Sequence, residues 1–343
     1  MVRPHLFFVF LSSFLLFASC ASISHYQIID ESVAQGDFQG SLDQIRKVKS
    51  DAYRPKDAVL YYLDEGLLAH YAQQYTEASQ SLGLAERAIE QAVTKSISLG
   101  ASSYLVNDTT LEYAGEDYED IYLNVFNALN YYYSGSTEGA LVEIRRIDNK
   151  IKYLSTKYGG AITNAQKAVM NEDLTIPYDP ESATVQFSNS ALARYLGMLF
   201  YRSEGKFDDA RIDRDQVKLS FANQKKLYQF PLPSSLEYEL SIPQGKARLN
   251  VISFTGLSPI KTESILRIPF GSDNWIKIAL PVIVERPSVV ASSRVVFDTG
   301  ESFDLELIED MGAVAVETFK QKAALIYLKT VLRSVLKTAS SVA

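Results

Sequence analysis

The strongest constraint on the fold is a short pattern that recurs four times. Gly36-Asp37-Phe38 is followed by Ser41, Ile45 and Val48, and Gln74-Tyr75 by Ala78, Leu82 and Ala85. Gly135-Ser136-Thr137 is followed by Ala140, Ile144 and Ile147, and Gly205-Lys206-Phe207 by Ala210, Arg214 and Val217. Each unit has a turn, then an aromatic residue or threonine, then small and apolar residues three, seven and ten positions on. That spacing lines one face of an α-helix. Small residues at Gly66, Ala78, Ala128 and Ala140 allow two helices to approach closely. The pattern predicts helix pairs over 57–71 and 76–94, 121–134 and 137–153, and 190–203 and 207–226.

A helix-turn-helix unit of this kind resembles the tetratricopeptide repeat, whose period is about 34 residues. The small positions fall at Ser41, Ala78, Ala140 and Ala210, so the spacing is uneven. Extra segments at 98–117, rich in Gly, Ser and Asn-Asp, and at 158–189, with Gly159-Gly160 and two prolines, separate the units. The expectation is a decorated tetratricopeptide-like domain over 20–230 rather than a strict solenoid.

The pattern changes at Phe230-Pro231-Leu232-Pro233, which reads as a linker. From Gly245 the apolar period is about two, as in strands. Strands are expected over 247–253, 265–268 and 275–284, with Pro281 marking an edge or a bulge. Two more, over 294–297 and 303–308, flank a turn at Asp298-Thr299-Gly300-Glu301. A long helix is expected over 311–339. The fold class is α+β, mainly α: helical repeats, a small antiparallel β segment or sandwich, and a long C-terminal helix. The second domain is placed at 231–343.

The N-terminus carries an address. Arg3 precedes an apolar run over 6–17 interrupted only by Ser12 and Ser13, and Ala18-Ser19-Cys20 follows. This is the layout of a secretory signal, and the run is too short to span a bilayer. Phe17-Ala18-Ser19-Cys20 resembles a bacterial lipobox, with Phe17 where leucine is usual. The resemblance implies removal of 1–19, a diacylglycerol on the Cys20 sulfur and an acylated amino terminus. With Ala21 rather than aspartate after the anchor, it implies the periplasmic face of the outer membrane.

Composition closes several routes to function. Among 343 residues there are one cysteine and three histidines (His5, His25 and His70). An internal disulfide is excluded, and neither a Cys/His zinc site nor a Cys-His nucleophile pair is expected. The formal net charge of −7 argues against nucleic-acid binding, which needs a basic surface. Neither GxGxxG nor GxxxxGK[ST] occurs, and no HExxH. No metal, cofactor or enzymatic activity is expected. Glu309-Asp310 reads as a helix N-terminal signal; carboxylate chemistry of the glycosidase kind is the rarer use.

The candidate binding residues lie elsewhere. Tyr131, Tyr132 and Tyr195 belong to a tyrosine-rich set that either packs between helices or lines a groove for a peptide or glycan strand. Arg145 and Arg146 form surface ion pairs or a partner patch. Lys261 closes the loop Gly256-Leu257-Ser258-Pro259-Ile260-Lys261, a plain turn or a recognition loop. The basic residues Lys320, Lys322, Lys329, Arg333 and Lys337 make either a solvated helix face or one that touches an anionic membrane.

Four phrases, Ala140-Leu141-Val142-Glu143-Ile144-Arg145-Arg146, Arg194-Tyr195-Leu196-Gly197-Met198, the 256–261 loop and Glu309-Asp310-Met311, resemble a family of uncharacterised bacterial envelope lipoproteins. That resemblance implies a repeat domain with a C-terminal β segment. The expected function is a lipid-anchored, non-enzymatic scaffold or adaptor, held in the membrane through Cys20 and binding other envelope proteins. The alternative is a module that binds peptidoglycan or peptide and regulates cell-wall synthesis.

Overall fold

The computed structural model describes residues 21–98, 112–170, 183–270, 274–286 and 288–342. The expected signal peptide, Cys20, most of the 98–117 insertion and part of the 158–189 insertion lie outside them. The chain is mainly helical, with a small antiparallel β component and a long C-terminal helix.

Two compact units form. One holds the described residues 21–95 and 112–115, and the other holds the rest. The division is not at Phe230. Leu227, Tyr228 and Leu236 share one core with residues of the helices before them and of the C-terminal helix after them.

The first unit contains α1 (Ala21–Ala34), α2 (Phe38–Ala52), α3 (Ala58–Tyr71) and α4 (Tyr75–Ser98), with a 3-10 turn at Pro55–Asp57. Its core joins Ile29, Leu42, Ile45, Tyr61, Leu68 and Ala78. The second unit contains α5 (Asp117–Tyr133), α6 (Thr137–Lys157), α7 (Gly159–Met170), α8 (Ala191–Ser203) and α9 (Phe207–Asn223), then β1 (Leu257–Phe270), β2 (Asn274–Arg286), β3 (Arg294–Val296), β4 (Ser302–Asp304) and α10 (Met311–Val342). Here α5 packs on α6, α8 on α9 and α6 on α8, while α10 lies against α5, α7 and β2.

All four recurrent sequence units close in the same way. The second residue after the helix takes a positive φ: 77° at Gly36, 61° at Gln73, 83° at Gly135 and 71° at Gly205. Its N–H donates three residues back, and the next N–H donates five residues back, as from Asp37 to Ser32 and from Lys206 to Tyr201. This is the Schellman closure, which satisfies carbonyls that the helix end leaves open. Gln73 is the exception to glycine there. The small residues after each turn, Ser41, Ala78, Ala140 and Ala210, are fully buried. Gly66 shows why size matters: a Cβ there would come within 2.6 Å of Leu82.

The β segment differs from expectation. Residues 247–253 join no ladder, and Ile252 and Phe254 pack against the helical core. The 256–261 phrase is not a loop, since β1 starts at Leu257. β1 and β2 form a two-stranded antiparallel ribbon, in register from Ile260↔Val284 to Phe270↔Asn274. Pro281 pairs with Glu263 without breaking the register, since both strands are edge strands. β3 and β4 form a separate two-stranded pair, so among the described residues there is no sandwich. Gly159-Gly160 opens α7 rather than a loop.

Candidate functional site

Three buried carboxylates organise the second unit. Glu309 lies two residues before α10 and accepts from the hydroxyls of Tyr122 at 2.7 Å, Tyr228 at 2.7 Å and Ser190 at 2.9 Å, and from the Leu192 N–H at 3.3 Å. Burial pushes its carboxyl above the usual range, and the donors recover only part of that shift. Its neighbour Asp310 caps the helix by accepting from the Ala313 N–H at 3.0 Å. The helix-terminal reading thus holds for Asp310, while Glu309 is instead the hub of a buried network.

Glu116 precedes α5 and receives Lys261 from β1 and, at 2.9 Å, Lys322 from α10. Burial opposes its ionisation, but the two ammoniums outweigh burial and hold the carboxyl below its usual range. Glu239 receives Arg202 at 2.6 Å, the Tyr195 hydroxyl at 3.0 Å and the Asn250 amide at 2.9 Å. A fourth cluster binds Arg194 to Asp148 at 2.8 Å and to Asp213 at 3.1 Å. Burial pushes Asp213 up to about 6 despite Arg194. The first three fasten the C-terminal third of the chain to α5, α8 and Tyr228, and the fourth joins α8 to α6 and α9.

The predicted binding residues are therefore dispersed. Tyr195 and Lys261 are held inside these networks. Tyr131 is half-buried against the core, where Gly139 lies beneath its ring. Tyr132 stacks on Phe200 at 4.8 Å between ring centroids, and Tyr133 beside it is 54% exposed. Arg145 is exposed on α6. Arg146 lies 3.7 Å from Glu143, which is buried and takes the Asn124 amide. The basic C-terminal helix uses Lys320 on Glu317 and Lys322 on Glu116, so these two cations serve the fold. Cys20 lies outside the described residues.

No known protein family, curated protein or solved structure matches the chain.

Among the described residues, the β1–β2 ribbon is one place where large apolar side chains are open to a partner. Trp275 is 66% exposed, and Ile260, Ile265, Leu266, Val282 and Val284 are also exposed. The register puts Ile260, Leu266, Val282 and Val284 on one face and Ile265 and Trp275 on the other. Among the described residues Ile278 is buried, Ile283 packs against the helical core and Lys261 is tied to Glu116, so part of the ribbon is covered. Among the described residues, no group of three or more His, Cys, Asp or Glu side chains is placed to hold a metal, and no helix is long and apolar enough to cross a membrane.

Proposed function

We propose that this chain is a lipid-anchored scaffold or adaptor of the bacterial cell envelope, acting by binding protein partners rather than by catalysis. In this reading the helical hairpins are tetratricopeptide-like, Cys20 carries the acyl chains, and the protein sits on the periplasmic face of the outer membrane. The observation that carries the partner-binding part is the ribbon. Several large apolar side chains are exposed on its two faces, and such exposure supports a docking role. The buried acids support the non-enzymatic part, because their oxygens are engaged by the fold's own hydroxyls, amides and ammoniums.

Metabolic labelling with a palmitate analogue tests the anchor: wild type labels and Cys20→Ala does not, and equal labelling overturns it. Crosslinking in the native cells tests the surface. Trp275→Asp with Ile265→Glu, both at exposed sites, is expected to lose envelope proteins that the wild type captures, while the folded signal is retained. Identical capture removes the ribbon from the argument. The wall-binding alternative keeps Tyr132 and Tyr133 as its exposed aromatics, whereas Tyr61, Tyr122 and Tyr195 are committed to acids within the fold. Co-sedimentation with peptidoglycan sacculi that depends on Tyr133 would favour it.

A further inference from the structure

In the first unit, α1 begins at Ala21, the residue after Cys20. From Tyr26 onward this helix is fastened. The hydroxyls of Tyr26 and Tyr53 both donate to one Asp64 oxygen, each at 2.8 Å, and lie 3.2 Å apart. Burial and the Asp64 charge push both phenols well above their ordinary range, so both stay protonated donors. Ile29, one turn on, is buried with Leu42 and Ile45. Ala21, the residue after Cys20 in sequence, precedes Tyr26 by five positions, about 7.5 Å along a helix rising 1.5 Å per residue. Such a leash gives a folded body little freedom.

The two ends of this unit are distinct. The α1–α2 and α3–α4 turns share one end, where Phe38 stacks on Tyr71 at 5.1 Å and the Gln74 amide reaches Gln39 at 2.7 Å. The other end gathers the start of α1, the last turn of α2, the 3-10 turn at Pro55–Asp57 and the start of α3. The end of α4 joins them, through Lys95 on Glu112 at 2.7 Å and the Tyr113 N–H on the Lys56 carbonyl at 2.9 Å. Given the lengths of α1 and α2, the turn end lies about 20 Å from the end at which α1 starts.

We infer that the first unit stands end-on to the lipid surface, with the face formed by Ser50, Asp51, Arg54 and Lys56 against the headgroups and the Gly36 and Gln73 turns pointing away. This rests on acylation of Cys20. The Tyr26–Asp64–Tyr53 cluster and Ile29 in the core together fix the angle of α1.

The chain supplies its own labelling background: its only cysteine is Cys20, and lipid occupies that sulfur in the anchored protein. Ser50→Cys, Arg54→Cys, Gln35→Cys and Thr76→Cys, all at exposed positions, each add one thiol for a bimane probe. The full-length lipidated protein is reconstituted into phosphatidylethanolamine/phosphatidylglycerol vesicles that carry a headgroup-spin-labelled lipid. Given the separation along the helices, quenching at 50 and 54 is expected to exceed that at 35 and 76 by about twofold or more. A flexible Gly/Ser insert of about twelve residues between Cys20 and Ala21 is expected to erase the difference. Equal quenching at all four positions in protein that floats with the vesicles overturns the orientation and leaves the anchor standing. A difference that survives the insert also overturns it, because the leash would then not be its cause. Protein that does not float overturns the anchoring reading itself.

Discussion

Replacing Glu309 with alanine tests whether the buried network holds the C-terminal helix in place. The carboxylate takes three hydroxyls and one backbone N–H within 3.3 Å. Truncation leaves Tyr122, Tyr228 and Ser190 with donors aimed into an apolar space, and each unmade buried hydrogen bond costs about 1–3 kcal/mol. Tyr228 can fall back on the Asn189 carbonyl, 3.3 Å away. The expected net loss is then about 3–5 kcal/mol, within the range for a broken buried network. For a unit of this size that is a fall in Tm of about 10–15 °C. Near-ultraviolet circular dichroism follows it, because the tyrosines report on this core.

Glu309→Gln keeps the volume and one acceptor, so it is expected to lose about 1–2 kcal/mol at mildly acidic pH. The pH profile separates charge from geometry. Because burial raises the folded-state pKa of Glu309, its stabilising contribution is complete below the ordinary carboxylate range. That contribution is lost as pH rises through the folded value. The gap between wild type and Glu309→Gln should therefore narrow as pH increases. An alanine variant within about 1 kcal/mol of wild type, or a gap that widens with pH, would refute the reasoning.

Two further perturbations have signs fixed by the structure. Glu116→Gln weakens the hold on the half-buried Lys322 and on Lys261 and is expected to cost about 1–3 kcal/mol at neutral pH; adding Lys322→Met should recover part of this in urea titrations. Since Glu116 is held below the ordinary range, its contribution is present at neutral pH and lost as pH falls through its folded value, opposite to Glu309. In the first unit, Gly66→Ala places a Cβ within 2.6 Å of Leu82 and is expected to cost about 1–3 kcal/mol. Gly83→Ala, whose nearest neighbour would be an Arg87 nitrogen at 3.6 Å, is expected to stabilise α4 by up to about 1 kcal/mol. Equal effects from the two would show that close helix approach is not what Gly66 provides.

The helices were legible because their information is local. A turn residue, a short polar stretch and a small residue three positions into the next helix specify each hairpin, and the helix pairs form where that pattern stands. The β segment was less legible. Alternation over 247–253 marks an extended chain, but whether that chain finds a strand or a helical core to lie on is decided by distant residues. The site was the least legible. Tyr195 looked available because nothing near it in sequence hints at Glu239, 44 positions away, and Lys261 meets Glu116 across 145 positions. The Glu309 network draws its donors from three separate helical regions, a convergence for which the sequence carries no nearby signal. Even the −7 charge conceals that several of the acids are spoken for inside the fold.

The ribbon carries a further consequence for how copies of this chain meet. Each of its strands has an outer row of backbone donors and acceptors, and such rows invite chains to zip together. Pro259, at the register shift between Leu257 and Ile260, and Pro281, in the middle of β2, each remove a backbone donor. Lys277 on one strand and Arg267 opposite it place like charges on the same face of the ribbon. Two chains sliding edge to edge would meet missing bonds and repelling cations before a long ladder could form. The ribbon can therefore stay apolar enough to receive a partner without becoming a seed for its own kind.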